Sequence, residues 1–263
     1  MDDLTKISKK YETDKSNDHK YTIIYNKYFS EKRYENIKLF EIGIGFPRDE
    51  NRGGGSLQMW SEYFPNGTIY GLDIEKKKLN FDEKIKIFKG SQENFLDLKE
   101  VINSAGNFDI IIDDGSHFNK HQIKSFKYLF PYLNNGGYYI IEDIQTSYML
   151  KYGGDGFYLN NKRTAINYFK TLIDKINYRE IENPFFNFER DIHANLITEI
   201  HFYHNLIIIK KDINDEKSNL LKNYQFDIKG KSFLKIRKLI KQIKYSLHLI
   251  RSLLNKFFDL LKF

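Results

Sequence analysis

The stretch IIIDDGSHF, residues 110–118, places two carboxylates, a Gly-Ser pair and a histidine directly after a run of isoleucines. A short run of β-branched apolar residues is typical of a buried β-strand. A carboxylate buried at the end of such a strand is unfavourable unless it is paired or bound to a metal. Asp113, Asp114 and His117 therefore mark a candidate functional site.

Strand and helix patterns alternate on both sides of this stretch. Apolar strands that alternate with helices predict an α/β fold, in which a mostly parallel sheet is covered by helices on both faces. We predict strands at 37–45, 67–74, 85–91, 108–116 and 136–144, helices at 56–64, 95–105 and 120–133, and one or two long strands at 198–211, bent near His204 and Asn205.

Acidic residues end four of the predicted strands. In parallel sheets ligands bind beyond the carboxyl ends of the strands, and all of these acids lie at that edge. Chance would place an acid at the solvated end of one or two strands. Acids at the ends of four strands are better explained by a functional site. The acids are Glu41, Asp73, the pair Asp113 and Asp114, and the pair Glu142 and Asp143.

The glycine turn after the first strand suits a nucleotide-like cofactor. Gly43 and Gly45 let the backbone approach a ligand closely, although the third glycine of the dinucleotide fingerprint is absent. Asp73 occupies the position at which a ribose diol is commonly held. The combination fits S-adenosylmethionine (SAM) better than NAD, and a nicotinamide-dependent oxidoreductase is the alternative from a different class. A simple strand-to-helix turn and a solvated strand end are the structural alternatives.

Asp114, Glu142 and Asp143 form a set of hard oxygen ligands that suits Mg²⁺. The chain has no cysteine, which excludes thiolate metal sites. His117 lies three residues after Asp114 and is a candidate general base, with a helix cap or a surface residue as the alternative. Neighbouring strand residues point to opposite faces, so Asp113 and Asp114 have different roles. The role of Asp113 is left open: it lies at the edge of the cofactor site or makes structural hydrogen bonds. Four other histidines are interpreted as structural or exposed: His121, His193, His201 and His204.

Four segments, LFEIGIG (39–45), 54–74, DIIIDDGSH (109–117) and NNGGYYIIEDIQTSY (134–148), resemble the class I SAM-dependent methyltransferases. More narrowly, they resemble the metal-dependent sugar O-methyltransferases of macrolide and related glycoside tailoring, over roughly residues 5–211. The resemblance implies a Rossmann-like methyltransferase fold with a seven-stranded, mostly parallel sheet. It implies that Mg²⁺ is bound by Asp114, Glu142 and Asp143 and that His117 is the base. The residues then assigned to SAM are Glu41, Gly43, Gly45, Asp73, Ser91, Gln92 and Asp113.

The segment KYETDKSNDHKYTIIYNKYF, residues 10–29, is similar to a family segment that reads Tyr-Gly-Thr-Asp-Lys with a later His-x-Tyr. Glu12 departs from the usual glycine, and the matching residues are Thr13, Asp14, Lys15, His19 and Tyr21. The resemblance implies that this segment lies over the active site, where Asp14 and Lys15 are assigned to the cofactor. A polar cap that stabilises the first helix is the alternative.

Basic charge is concentrated at the end of the sequence. Residues 231–263 carry nine Lys and Arg and one Asp, so the remainder is close to neutral although the net charge is +7. This distribution argues against a nucleic-acid partner. Apolar residues recur there with helical spacing, which predicts a basic amphipathic helix. Such a helix contacts an anionic membrane surface, an acidic partner, its own domain or a second copy in a homo-oligomer.

The sequence divides into an N-terminal helical cap segment (1–36), a methyltransferase domain (37–212), a linker (213–230) and the basic amphipathic helix (231–263). The N-terminus has no apolar signal region and no run is long enough to span a bilayer. We therefore expect a cytoplasmic location, with contact to the inner face of the membrane through the last segment.

The expected reaction is Mg²⁺-dependent transfer of a methyl group from SAM to a hydroxyl oxygen of a sugar or glycoconjugate, such as a surface-polysaccharide precursor. Within the same class, a small phosphate-like or phosphoramidate acceptor is the alternative. The sequence leaves open the acceptor, the methylated position and the oligomeric state.

Overall fold

A seven-stranded sheet lies at the centre of the computed structural model, which describes residues 1–11, 13–46, 48–181 and 195–218 together with Ser246 and Ile250. Its strands are β1 (Lys38–Ile42), β2 (Thr68–Asp73), β3 (Ile85–Lys89), β4 (Phe108–Asp113), β5 (Leu133–Ile141), β6 (Ile197–Tyr203) and β7 (Leu206–Lys211). Their order is β3-β2-β1-β4-β5-β7-β6, with parallel pairing from β3 to β5 and antiparallel pairing of β7 with both neighbours. The predicted Rossmann-like, mostly parallel sheet is confirmed.

Helices cover both faces of this sheet. The α-helices in the described ranges are α1 (Asp3–Ser8), α2 (Tyr21–Phe29), α3 (Gly55–Tyr63), α4 (Phe95–Ala105), α5 (Asn119–Leu129), α6 (Ala165–Lys170) and α7 (Ile173–Ile176). The buried side chains of α1, α2 and α3 belong to one apolar cluster, and those of α4, α5 and α6 belong to a second. The order of the strands reverses between β1 and β4, which is where ligands bind in such sheets.

The alternation of side chains along each strand decides which acids meet. In β4, Ile110 and Ile112 pack with α1 to α3, whereas Ile111 packs with α4 to α6. Residues two apart share a face, so Asp114 continues the first face and Asp113 the second. By the same rule, Glu41 follows Leu39 and Glu142 follows Ile140, and both of those apolar residues belong to the first cluster. Glu41, Asp114 and Glu142 are therefore directed to the same side of the sheet.

The five strands predicted between residues 37 and 144 end one to three residues earlier than expected, and the helix predicted at 120–133 also ends earlier. Two of these differences have a local cause. The helix expected at 120–133 ends at Leu129, because Pro131 cannot continue an α-helix. The strand expected at 136–144 is β5, which ends at Ile141 because Asp143 has a left-handed backbone (φ 54°). Residues 197–211 form two antiparallel strands that turn at His204 and Asn205, in agreement with the predicted bend.

The elements described above belong to a unit formed by Met1–Ile181 and Phe186–Glu216. Helices α1 and α2 fall within the predicted segment 1–36, and the strands fall within 37–212. The predicted linker is described as far as residue 218, and the predicted basic helix lies outside the described residues except for Ser246 and Ile250. None of the helices in the described ranges combines the length and the apolar character that crossing a bilayer requires.

Candidate active site

A cavity of about 890 Å³ opens at the carboxyl ends of β1, β2 and β4. This volume is in the range of small-molecule and cofactor sites. Glu41, Asp113 and Glu142 do not line it and are buried below its surface. The other predicted site residues line the cavity: Asp14, Lys15, Gly43, Gly45, Asp73, Ser91, Gln92, Asp114, His117 and Asp143.

Lys15 lies in the middle of the buried acids. Its Nζ is 2.7 Å from Asp114 Oδ2, 2.7 Å from Glu142 Oε1 and 3.1 Å from Glu41 Oε1, and only 1% of its side chain is exposed. Burial opposes its charge, but the carboxylates of Asp114, Glu142 and Glu41 raise the pKa of Lys15 well above its usual value. Lys15 is therefore a fixed ammonium that balances part of the negative charge of this cluster.

The three carboxylates around Lys15 are destabilised in their charged forms. Burial raises the pKa of Glu41, of Asp114 and of Glu142, while Lys15 opposes each shift. Two aromatic residues add hydrogen bonds: Tyr25 OH donates to Glu142 Oε1 at 2.5 Å and Trp60 Nε1 donates to Glu41 Oε2 at 2.9 Å. These donors lie on α2 and α3, and the sequence analysis did not identify them.

A second group of side chains can hold a metal ion. Asp114, His117 and Asp143 each offer one ligand atom, and these three atoms lie within 4.8 Å of one another. Asp143 Oδ2 is 3.8 Å from His117 Nε2, while Asp143 Oδ1 accepts a hydrogen bond from Tyr21 OH at 2.9 Å. The predicted ligand Glu142 is not part of this group, and its Oε1 accepts hydrogen bonds from Lys15 and Tyr25.

The group of Asp114, His117 and Asp143 includes two residues with unusual backbones. His117 (φ 57°) and Asp143 (φ 54°) are both left-handed, a conformation that non-glycine residues adopt rarely and that clusters at functional sites. Thr146 Oγ1 lies 2.9 Å from the carbonyl oxygen of His117 and 3.0 Å from that of Asp143. The buried hydroxyl of Thr146, which the sequence did not single out, thus stabilises both loops. His117 Nδ1 is buried without a hydrogen-bond partner.

Asp113 points away from this group, as the strand alternation requires. Its Oδ1 accepts a hydrogen bond from Gln92 Nε2 at 3.0 Å, and its Oδ2 accepts one from the Ser125 hydroxyl of α5. Gln92 Oε1 in turn accepts a hydrogen bond from the backbone amide of Ser116 at 2.6 Å. Through Gln92, Asp113 therefore links the loop after β3 to the loop after β4. Burial raises the pKa of the Asp113 carboxyl.

Another part of the cavity lining comes from the loops after β1 and β2. A Cβ atom on Gly43 would lie 2.1 Å from the carbonyl oxygen of Asp114, so the loops after β1 and β4 can approach only because residue 43 is glycine. Asp73 Oδ2 accepts a hydrogen bond from the amide of Ile44 at 3.0 Å, and Asp73 Oδ1 accepts one from the amide of Glu75 at 2.9 Å. Gly45 (φ 81°) faces open space.

Two further histidines line or approach the cavity. His121, interpreted from the sequence as structural or exposed, lines it and contacts Ser116 Oγ at 2.8 Å and Glu93 Oε2 at 3.1 Å. His19 stacks on Tyr21 and lies 3.6 Å from Asp143. His121 lies in the first turn of α5, directly after the loop that follows β4, and this placement is the signal that could have located it near the site.

Comparison with known proteins identifies relatives of this chain. A family model described as a methyltransferase domain matches residues 52–184. Demethylmacrocin O-methyltransferase of Streptomyces fradiae is 38% identical over 220 residues, which are 81% of this chain and 54% of that protein. Mycinamicin VI 2''-O-methyltransferase of Micromonospora griseorubida is 37% identical over 215 residues, which are 81% of this chain and 54% of that protein. The chain thus spans about half the length of these relatives.

Comparison with solved structures identifies a methyltransferase as well. The MycE methyltransferase from the mycinamycin biosynthetic pathway, in complex with Mg and SAH, is 34% identical with a TM-score of 0.79, over 89% of this chain and 59% of that chain. Its complex with Mg, SAH and mycinamycin VI gives a TM-score of 0.74 at 36% identity, over 82% and 56% of the two chains. The resemblance noted in the sequence is confirmed.

Proposed function

This chain belongs to the methyltransferase-domain family, and from that premise we propose that it transfers a methyl group from SAM to a hydroxyl oxygen of a sugar or glycoconjugate in an Mg²⁺-dependent reaction. The observation that carries the proposal is the grouping of Asp114, His117 and Asp143 at one wall of the cavity. Relatives named as O-methyltransferases of glycosylated compounds and a neighbour structure that contains Mg and SAH support the choice of reaction.

The cavity has the features that a SAM site needs. The backbone of Gly43 and Gly45 forms one wall, and Asp73, Ser91 and Gln92 lie at the ends of neighbouring strands. We assign the ribose to Asp73, because both of its oxygens are held in place by backbone amides. SAM, when bound, supplies an electrophilic methyl group on a sulfonium.

The metal would be held by Asp114 and Asp143, which are hard oxygen ligands of the kind that Mg²⁺ prefers. Glu142 is the third ligand that we propose, and its carboxylate is directed to the same side of the sheet as Asp114. Mg²⁺, when bound, supplies a positive charge that lowers the pKa of an acceptor hydroxyl and orients it. The excess of carboxylates over ammonium groups around Lys15 supports a divalent cation at this place.

His117 is the proposed general base. Its Nε2 lies 3.8 Å from Asp143 Oδ2, so the imidazole can accept the proton of an acceptor hydroxyl next to the carboxylates proposed to hold the metal. The left-handed backbone of His117, stabilised by Thr146, holds the ring at the cavity wall. General base catalysis of this kind contributes about 10²–10⁴-fold in rate.

Residues 13–18 close the cavity on the side of the N-terminal segment. Asp14 and Lys15 line it, and Lys15 also reaches the acids below. We propose that the segment 1–36 positions the carboxylates of the domain 37–212 through Lys15. If the segment served only as a polar cap that stabilises the first helix, these carboxylates would not have Lys15 as a partner.

A direct test incubates the full chain with SAM, Mg²⁺ and a panel of glycosides and nucleotide sugars, followed by mass spectrometry. A gain of one methyl group on a saccharide acceptor supports the proposal. Calorimetric titration with SAM and with NAD separates the cofactor classes, and binding of NAD without binding of SAM would refute it. Methylation confined to a phosphate-like or phosphoramidate acceptor would favour that alternative.

We further propose that the acceptor is a surface-polysaccharide precursor and that the reaction takes place in the cytoplasm at the inner face of the membrane. The basic amphipathic pattern of residues 231–263 supports this location. Cosedimentation with anionic vesicles compares the full chain with a version that ends at residue 230. Equal binding by the two proteins would contradict the membrane contact, and light scattering of the same samples reports a homo-oligomer.

A further inference from the structure

Lys77 differs from its neighbours in a run of charged residues. The run EKKK, residues 75–78, reads as a solvated surface segment, and Lys76 and Lys78 are exposed. Lys77 is only 8% exposed. A lysine side chain is almost never buried unless its ammonium has partners.

The partners of Lys77 are backbone carbonyls of one loop. Its Nζ donates to the carbonyl oxygens of Gly45 at 2.6 Å, Phe46 at 2.9 Å, Asp49 at 3.0 Å and Arg52 at 3.2 Å. An ammonium has three N–H donors, so at least one is shared among the four acceptors. Lys77 thus occupies the centre of the loop in the way that a bound cation would.

The backbone of this loop explains why it needs a cation. Gly45, Phe46 and Arg48 have φ values of 81°, 53° and 67°, and these left-handed residues prevent a regular ladder of hydrogen bonds. Carbonyl oxygens that converge without a donor repel one another and lose their solvation. The ammonium of Lys77 satisfies them together, which stabilises a backbone that is otherwise unfavourable.

The loop forms part of the cavity wall. Gly45 and Phe46 line the cavity, and the carbonyl oxygens of both accept hydrogen bonds from Lys77 Nζ. The segment that carries Lys77 also begins with Asp73, whose carboxylate binds the amide of Ile44. The shape of this wall and the position of Asp73 therefore depend on the same segment.

We propose that Lys77 is a positioning residue for the cofactor, because its ammonium holds Gly45 and Phe46 in the wall against which SAM binds. This inference rests on the proposed function, since the ligand whose affinity Lys77 sets is SAM. Lys77 does not touch the reacting atoms, so it acts on binding and not on the transfer step.

The test compares Lys77→Ala with Lys76→Ala, which removes an exposed lysine of the same run. In Lys77→Ala we expect the dissociation constant of SAM, measured by calorimetry, to rise roughly ten- to hundredfold, the range set by the loss of hydrogen bonds from a charged donor. The KM for SAM should rise in parallel, while kcat at saturating SAM stays close to that of the wild type. SAM affinity of Lys77→Ala equal to that of Lys76→Ala would overturn the proposal.

Chemical rescue separates a loss of the cation from general damage. Propylammonium chloride should restore SAM affinity in Lys77→Ala, because its ammonium can occupy the ring of carbonyls. Tetramethylammonium chloride at the same concentration should not, since it has no N–H donor. If Lys77→Ala does not fold, Lys77→Met, which has no N–H donor, is measured instead, and wild-type SAM affinity in that folded variant would count against the proposal.

Hydrogen exchange distinguishes this inference from the proposed function. In the absence of any ligand, amides of residues 45–52 should exchange faster in Lys77→Ala than in the wild type. Failure of the wild type to bind SAM would refute the proposed function. Unchanged exchange at 45–52 would overturn the role of Lys77, whatever the wild type binds.

Discussion

Replacement of Lys15 by methionine removes the ammonium from the buried acids and keeps an unbranched side chain of similar length. The variant leaves Glu41, Asp114 and Glu142 without the cation that lies 2.7 to 3.1 Å from each of them. Removal of one partner from a buried ion pair costs about 3–5 kcal/mol, because the remaining charge is buried and unpaired. For a domain of this size, 1 kcal/mol shifts the melting temperature by about 2–4 °C. We therefore expect a decrease on the order of 10 °C at pH 8.

The decrease in melting temperature caused by Lys15→Met should depend on pH in a defined direction. Burial raises the pKa of all three carboxyls in the folded state. A carboxyl with a raised folded-state pKa binds its proton more tightly in the folded than in the unfolded protein, so it destabilises the fold progressively as the pH rises above about 4. Loss of Lys15 raises these pKa values further. The difference in stability between wild type and variant should thus be larger at pH 8 than at pH 5.

The assay is thermal unfolding followed by circular dichroism, with EDTA present so that no divalent cation binds. Lys10→Met is the matched control, because Lys10 forms an exposed ion pair with Glu62, and such pairs contribute at most about 1 kcal/mol. The reasoning is refuted if Lys15→Met melts within the range of the control at pH 8. It is also refuted if the loss at pH 5 equals the loss at pH 8.

Two further predictions concern the reaction and a third concerns stability. His117→Ala should lower turnover by about 10²–10⁴-fold while calorimetry shows unchanged SAM affinity; turnover like that of the wild type would exclude His117 as the base. EDTA should abolish turnover and added Mg²⁺ should restore it, whereas full activity in the chelator would remove the role of the metal. Thr146→Val deletes the hydroxyl next to two carbonyl oxygens and should reduce the free energy of unfolding by about 1–3 kcal/mol. Denaturant unfolding that matches the wild type would contradict that contact.

The sheet and the position of the site follow from local patterns that a sequence displays. Runs such as 110–112 are apolar and β-branched, and the period of two along a strand predicts that Asp113 and Asp114 have different surroundings. The structure agrees: Asp114 faces Lys15 and Asp113 faces Ser125. The edge at which the acids gather also follows from parallel pairing alone.

The partners of those acids do not follow from local patterns. Lys15 is 99 residues from Asp114 and 127 residues from Glu142 along the chain, and residues 13–20 have no periodicity that would indicate which of their side chains is buried. The left-handed backbones of His117 and Asp143 are equally invisible, because neither residue is glycine. Contacts of this kind are set by the docking of one segment on another, and a motif reports them only if the docking is already known.

Lys15 and Lys77 show how the same residue type serves two different electrostatic needs. Lys15 faces three carboxylates, which can bind protons when the ammonium is removed. Lys77 faces four carbonyl dipoles, which cannot be neutralised in this way. The stability lost in Lys15→Met should therefore vary between pH 5 and pH 8, whereas the loss in Lys77→Ala should be the same at both. Thermal unfolding of the two variants at these pH values compares them directly, and a parallel pH dependence would mean that the surroundings of Lys77 also contain a titrating group.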